Sequence, residues 1–134
     1  MRIRVTEAME QEKFVGYLLT LKTRKKICEF FAITNENNTY KQNKHYSMIA
    51  EVKAKKIGKR KGASDLCIVL PNSVVFIEMK RRKKILKSGK LSTSGIAVSV
   101  EQEKFLEAVT NSNVVNGAIC YGYDEAVAYI NKFL

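Results

Sequence analysis

The stretch "GASDLCIVLPNSVVFIEMKRRKK", Gly62 to Lys84, holds two apolar runs, each touching an acid, and then a burst of positive charge. "DLCIVL" (65–70) and "VVFIEMK" (74–80) are rich in β-branched and apolar residues, and "PNS" (71–73) interrupts them. The pattern predicts a β-hairpin. In that hairpin Asp65 and Glu78 become cross-strand neighbours, and strand alternation puts Glu78 and Lys80 on one face. Two carboxylates so placed repel each other, and withdrawing them from water is costly. A divalent cation relieves both effects. Mg²⁺ or Mn²⁺ prefers oxygen ligands, takes one or two carboxylates and keeps positions for water and phosphate. An ammonium beside such an ion can hold a phosphate or orient the attacking water, which suits phosphodiester hydrolysis. The spacing equally allows Asp65 to cap a turn and Glu78–Lys80 to be a solvated edge pair.

On the N-terminal side, residues 6–21 are expected to be helical, capped by Thr6. Phe14, Leu18 and Leu21 form the apolar stripe, with Val15 and Leu19 beside it, and Glu7 and Gln11 continue that stripe toward the N-terminus. A strand is expected at 27–33, then a polar turn-like segment, then a helix at 46–57 stopped by Gly58. After the hairpin, residues 85–98 read as a Gly/Ser-rich loop. Ser99 opens a helix with Gln102 three residues on, a capping-box spacing, and Phe105, Leu106 and Val109 give that helix its inner face. "GAICYGY" (117–123) reads as a strand, and Asp124 as the cap of a last helix running through Phe133. The order α-β-α-β-β-α-β-α predicts an α/β fold, a mixed central sheet flanked by helices. No repeat or linker divides the chain, so residues 1–134 are expected to form one domain.

Composition narrows the function. Hydrophobic residues make up 46% of the chain, enough for a packed core. Lys and Arg number 24 against 13 acids, a net charge of +11, which points to a polyanion: nucleic acid first, an acidic membrane surface second. No apolar run approaches the ~18 residues of a membrane span, and charge breaks up the N-terminus where a signal peptide would need an apolar stretch. A cytoplasmic, non-secreted protein is therefore expected. Cys28, Cys67 and Cys120 lie far apart in apolar surroundings, as buried thiols of a reducing compartment would. With no CxxC and one histidine, a structural zinc site is not expected.

"GASD" with Asp65, "FIEMK" with Glu78 and Lys80, "SVEQEKFLEAV" with Gln102, "EAMEQ" from Glu7 to Gln11 and the ending "GAICYGYDEAVAYI" together resemble the VRR-NUC family of the PD-(D/E)XK nuclease superfamily. The likeness covers nearly the whole chain. It implies a restriction-endonuclease-like core and an Mg²⁺- or Mn²⁺-dependent endodeoxyribonuclease. It also implies roles: Asp65 and Glu78 as metal ligands with the Met79 backbone carbonyl, Lys80 as catalytic lysine, Glu7 completing the acidic cluster, and Gln102 lining the site. Glu10, three residues from Glu7, competes for the helix position, and Glu12 more weakly. Ser64 stands where the family often has proline, and the loop from Lys80 to Gln102 is longer than usual. Stand-alone members resemble Holliday-junction resolvases of bacteria and phages, which implies branched DNA as substrate, a homodimer, and a bacterial cell or phage-infected host as setting.

Six of the nine residues from Lys53 to Lys61 are basic, as are seven of the eleven from Lys80 to Lys90. These runs flank the strands that carry Asp65 and Glu78. Lys59, Arg60, Lys61, Arg81, Arg82 and Lys83 are the expected phosphate contacts. Asn35, Asn37, Asn38 and Tyr40 are weaker candidates. No recognition helix or RNP-type aromatic pair is present, which favours structure-specific over sequence-specific binding. A flap nuclease or nickase of the same fold, or a non-catalytic DNA-binding module, are the alternatives. "GIAVSV" (95–100) and "YINKFL" (129–134) are the expected dimer surfaces.

Overall fold

The computed structural model describes residues 4–34, 44–92 and 96–134, with only the backbone at 44–47. The elements are α1 (Glu7–Thr23), β1 (Glu29–Ala32), α2 (Lys44–Lys56), β2 (Leu66–Val69), β3 (Val74–Lys80), β4 (Lys84–Ile85), β5 (Leu91–Ser92), α3 (Val100–Thr110), β6 (Val115–Tyr121) and α4 (Tyr123–Asn131). Asn35, Asn37, Asn38 and Tyr40 lie outside the described residues.

β2 and β3 form the expected hairpin, in the register Leu66↔Ile77 to Val69↔Val74. The sheet order is β1-β2-β3-β6. β1 is antiparallel to β2, and β6 runs parallel to β3 from Val74↔Val115 to Lys80↔Tyr121. The sheet is therefore mixed, and the parallel pair requires a crossover, which α3 supplies.

Alternation along β3 divides the two layers. Val75, Ile77 and Met79 are fully buried in a core shared with Phe14 and Leu18 of α1 and Ala126 and Ile130 of α4. Phe76 points the other way and meets Phe105 of α3 edge-on, ring centroids 5.2 Å apart. Glu78 and Lys80 share the side of Phe76 by the same two-residue period. One face of the sheet thus packs on α1 and α4, and the other carries α3 and two buried charged side chains.

Four local expectations differ. The polar residue that continues the buried stripe of α1 is Glu10, beside Phe14, Leu18 and Leu21, whereas Glu7 is exposed and Leu19 is 54% exposed. The β4–β5 hairpin, Lys84 to Ser92, occupies the first part of residues 85–98, expected as loop. Asp124 does not cap α4. The cap position is Gly122, without a side-chain bond, and the first amide of α4, Tyr123 N, donates to Glu10 of α1 at 3.2 Å. Cys28 is exposed, while Cys67 and Cys120 are buried. Thr6 caps α1 by accepting from Met9 N, as expected. Among the described residues no helix is long and apolar enough to cross a membrane.

Candidate active site

Asp65 immediately precedes β2, one step beyond the Leu66↔Ile77 pair, which brings it opposite Glu78. Its Oδ2 accepts from Met79 N at 2.7 Å, so the hairpin backbone itself fixes the carboxylate. Glu78 and Lys80 are buried at 3% and 9% exposure, their heads 3.7 Å apart.

α3 delivers the fourth member. Ser99 Oγ accepts from Gln102 N, and Gln102 Oε1 accepts from Ser99 N, the two arms of a capping box. The same amide reaches the sheet. Gln102 Nε2 donates to Glu78 Oε1 at 2.7 Å, and Gln102 Oε1 accepts from Lys80 Nζ at 3.3 Å. One side chain thus ends the helix and holds both functional groups of β3.

Gly62 sets the distance between the Asp65 loop and that helix. It has φ +83, and a Cβ there would lie 2.7 Å from Gln102 N and closer still to the Glu101 carbonyl. Only glycine combines this approach with this backbone conformation. The "GASD" spacing therefore has a mechanical meaning: Gly62 lets α3 seat beside the loop that ends at Asp65.

Electrostatics mark the site. Burial first, and the charge of Asp65 second, push the Glu78 carboxyl up to about 8. Burial also raises Asp65, opposed by its bond from the Met79 amide. Glu7 is raised by desolvation and then by the charge of Asp65, so the two carboxylates feel each other although the Glu7 side chain is exposed. Among the described residues no donor reaches the buried Glu78 Oε2, and the Glu78 carboxyl's neighbour across the hairpin is that of Asp65, with which it can share a proton. Such a buried pair is costly and wants either a proton or a cation. Among the described residues no three acidic, histidine or cysteine side chains gather closely enough to hold a metal by themselves. The donor set is two facing carboxylates, Asp65 and Glu78, with Glu7 farther out. That fits Mg²⁺, which takes one or two carboxylates and fills its octahedron with water and phosphate.

The competition between Glu7 and Glu10 has a structural answer for Glu10. It is 1% exposed, and accepts from Arg82 Nε at 3.0 Å, Arg82 Nη2 at 2.7 Å, Arg82 N at 2.9 Å and Tyr123 N at 3.2 Å. Its carboxylate is fully committed to joining α1, the exit of β3 and the start of α4. Gly122 lies under it: a Cβ there would stand 2.7 Å from Glu10 Oε2. Gly122 N donates to Lys80 O at 2.8 Å, so this hub also fixes the backbone of Lys80. Sequence reasoning missed it because Arg82 stands within a run of cations and looks like one more phosphate contact.

The other expected phosphate contacts scatter around the site. Lys59, Arg60 and Lys61 are exposed on the loop before Gly62, with Arg60 Nη1 donating to Lys61 O. Arg81 donates to Arg82 O at 3.0 Å, and Lys83 Nζ lies 4.2 Å from the centre of the Tyr121 ring. A groove beside the site is lined by Arg4, Thr6, Glu7, Arg81, Lys84 and Ser92.

No family model matches the chain, and no curated protein matches it. A solved structure described as a VRR_NUC domain protein superposes with a TM-score of 0.59 over 99% of this chain and 91% of that one, at 13% identity. The chain has the restriction-endonuclease-like fold of that domain.

Proposed function

With the VRR-NUC fold as premise, we propose that the protein is a metal-dependent, structure-specific DNA endonuclease acting on branched DNA, four-way junctions foremost. One observation carries most weight: among the described residues no donor reaches the buried Glu78 Oε2, and the carboxyl stands opposite that of Asp65 and beside Lys80. A DNA-binding module gains nothing from facing carboxylates where phosphates must approach.

Asp65 and Glu78 would hold Mg²⁺ or Mn²⁺, with the Met79 carbonyl and Glu7 as the further ligands that the family resemblance implies. When bound, the ion would supply an acidified water and charge stabilisation on the phosphate. The chain's own residues do the rest. The Met79 amide fixes one oxygen of Asp65. Gln102 occupies Oε1 of Glu78 and so leaves Oε2 for a ligand. Lys80, steered by Gln102 and Glu78, presents an ammonium to a phosphate oxygen or to the attacking water. Hydrolysis forms a bond from water oxygen to phosphorus and breaks one ester bond, the departing sugar oxygen taking a proton. Lys59, Arg60, Lys61, Arg81 and Lys83 would hold flanking phosphates, while Arg82 is already engaged by Glu10.

One domain with one site cuts one bond at a time. Resolving a junction takes two symmetric cuts, so a two-fold homodimer completes the proposal. Ile96 and Ile130 are buried within the protomer, and Val100 (59% exposed) and Leu134 (48% exposed) are the exposed large apolar residues described in the two candidate surfaces. The test is incubation with Mg²⁺ or Mn²⁺ and a panel of four-way, flap, splayed and linear DNAs, alongside light scattering. Paired nicks on the four-way junction by a dimer are expected. Binding without cleavage on every substrate would overturn the nuclease proposal in favour of a DNA-binding module. Single nicks by a monomer would leave a nickase.

A further inference from the structure

Among the described residues the β4–β5 hairpin stands apart from the main sheet, its strands pairing with each other as Lys84↔Ser92 and Ile85↔Leu91. Its turn is closed by Leu86 N donating to Lys90 O at 2.8 Å and Gly89 N donating to Leu86 O at 2.9 Å. Two-stranded ribbons are marginal alone, and the usual remedy is an apolar face packed on something. Here that face is open. Ile85 and its cross-strand partner Leu91 share that face and are 76% and 56% exposed, while Leu86, 48% exposed, lies opposite Lys90 on the other side beside the turn.

Charge identifies what would cover it. No Asp or Glu occurs between Met79 and Val100, and Lys83, Lys84, Lys87 and Lys90 surround the apolar residues. The complement is a polyanion that also offers apolar surface, which describes nucleic acid where its bases are unstacked. Position agrees. Lys84 and Ser92, at the root of the hairpin, line the groove that contains Glu7, and Leu91 shares a second hollow with two cations, Arg82 and Lys83, two tyrosines, Tyr121 and Tyr123, and two acids, Asp124 and Glu125. A strand lying along the site would therefore meet the hairpin next.

We propose that the β4–β5 hairpin is a branch-point wedge: Ile85 and Leu91 pack against bases unstacked at a junction while the neighbouring lysines hold the adjoining phosphates. This rests on the nucleic-acid reading of the site and names the substrate feature it prefers. Unstacking is least costly where a branch has already broken the stack, so the wedge selects branches over continuous duplex without reading sequence.

The test uses 2-aminopurine placed at the branch of a four-way junction, in Ca²⁺, with the full chain and an Ile85→Ser, Leu91→Ser double variant. Both side chains are exposed, so the variant should melt with the wild type. Wild type should raise the fluorescence at the branch. The double variant should lose that rise and bind the junction about ten-fold more weakly, with linear duplex binding kept within about two-fold because the lysines remain. Wild-type protein that cuts the junction without a fluorescence change, or a variant equal to wild type in both readouts, would overturn the wedge alone. So would a double variant that turns a dimer into a monomer, since a second copy would then cover the hairpin. Wild-type protein that neither binds nor cuts DNA would overturn the function and the wedge together.

Discussion

Arg82→Ala should destabilise the fold and do so in a pH-dependent way. Glu10 is 1% exposed and accepts two bonds from the Arg82 guanidinium and two from backbone amides. Removing the guanidinium leaves a buried carboxylate with the amides alone. Deleting one partner of a buried ion pair costs about 3–5 kcal/mol. The Arg82 side chain is 50% exposed and the amides remain, so the cost here is reduced to about 2–3 kcal/mol. For a domain of this size that corresponds to a fall in Tm of roughly 6–15 °C. The sign follows from the titration. The Arg82 side chain, chiefly, and the two amides hold the Glu10 carboxyl below its ordinary value of 4.5. The stabilisation is therefore present above that value and is lost as pH falls through the lowered folded value. Urea unfolding followed by circular dichroism in EDTA should show the full gap between wild type and variant at neutral pH, shrinking steadily in acid. A gap under about 0.5 kcal/mol at neutral pH, no larger than an ordinary surface substitution gives, would refute the structural role of the pair, as would a gap that does not change in acid.

Gly62→Ala forces a Cβ against the Glu101 carbonyl and Gln102 N at a φ of +83, and should cost about 2 kcal/mol or more in the same unfolding assay, with cleavage falling further as Gln102 is displaced. Mg²⁺ should raise Tm more strongly as pH climbs. Without metal, the raised Glu78 carboxyl gives stability that is full below its ordinary 4.5 and is lost as pH rises through about 8, and Mg²⁺ replaces the proton that is being lost. A Mg²⁺-induced shift in Tm that is flat from pH 6 to 9, the window about that folded value, would contradict this. Glu7→Gln should weaken Mg²⁺-dependent cleavage with little change in Tm, whereas Glu10→Gln should lower Tm first; the reverse outcome would exchange their roles.

The central hairpin was legible because both strands are dense in apolar residues and Pro71-Asn72-Ser73 leaves one place to turn. The α3 cap was legible because Ser99 and Gln102 stand three residues apart, although nothing local says that Gln102 also reaches Glu78 and Lys80. Glu7 and Glu10 could not be separated from periodicity. Each fits a stripe through Phe14 and Leu18 within the tolerance of a 3.6-residue turn. Glu10 is turned inward by a partner 72 residues away in sequence. The β4–β5 hairpin did leave a trace, Ser88-Gly89 between the apolar pair Ile85-Leu86 and the single Leu91, but the lysines around it resemble a solvated loop. The cap of α4 was assigned to the nearest acid, Asp124, whereas Glu10 supplies the oxygen from another helix. For Glu10, Gln102 and the start of α4, what sequence reasoning missed is a long-range partner.

The decisive experiment is single-turnover cleavage of an end-labelled four-way junction by wild type, Asp65→Asn, Glu78→Gln and Lys80→Ala, in Mg²⁺ and in EDTA. These groups share one ligand set and one phosphate, so each variant should lose cleavage by orders of magnitude while keeping wild-type binding in Ca²⁺. Wild-type cleavage should vanish in EDTA. A wild-type rate that survives EDTA, or an Asp65→Asn, Glu78→Gln double variant that cuts as fast as wild type, would contradict the assignment of this site.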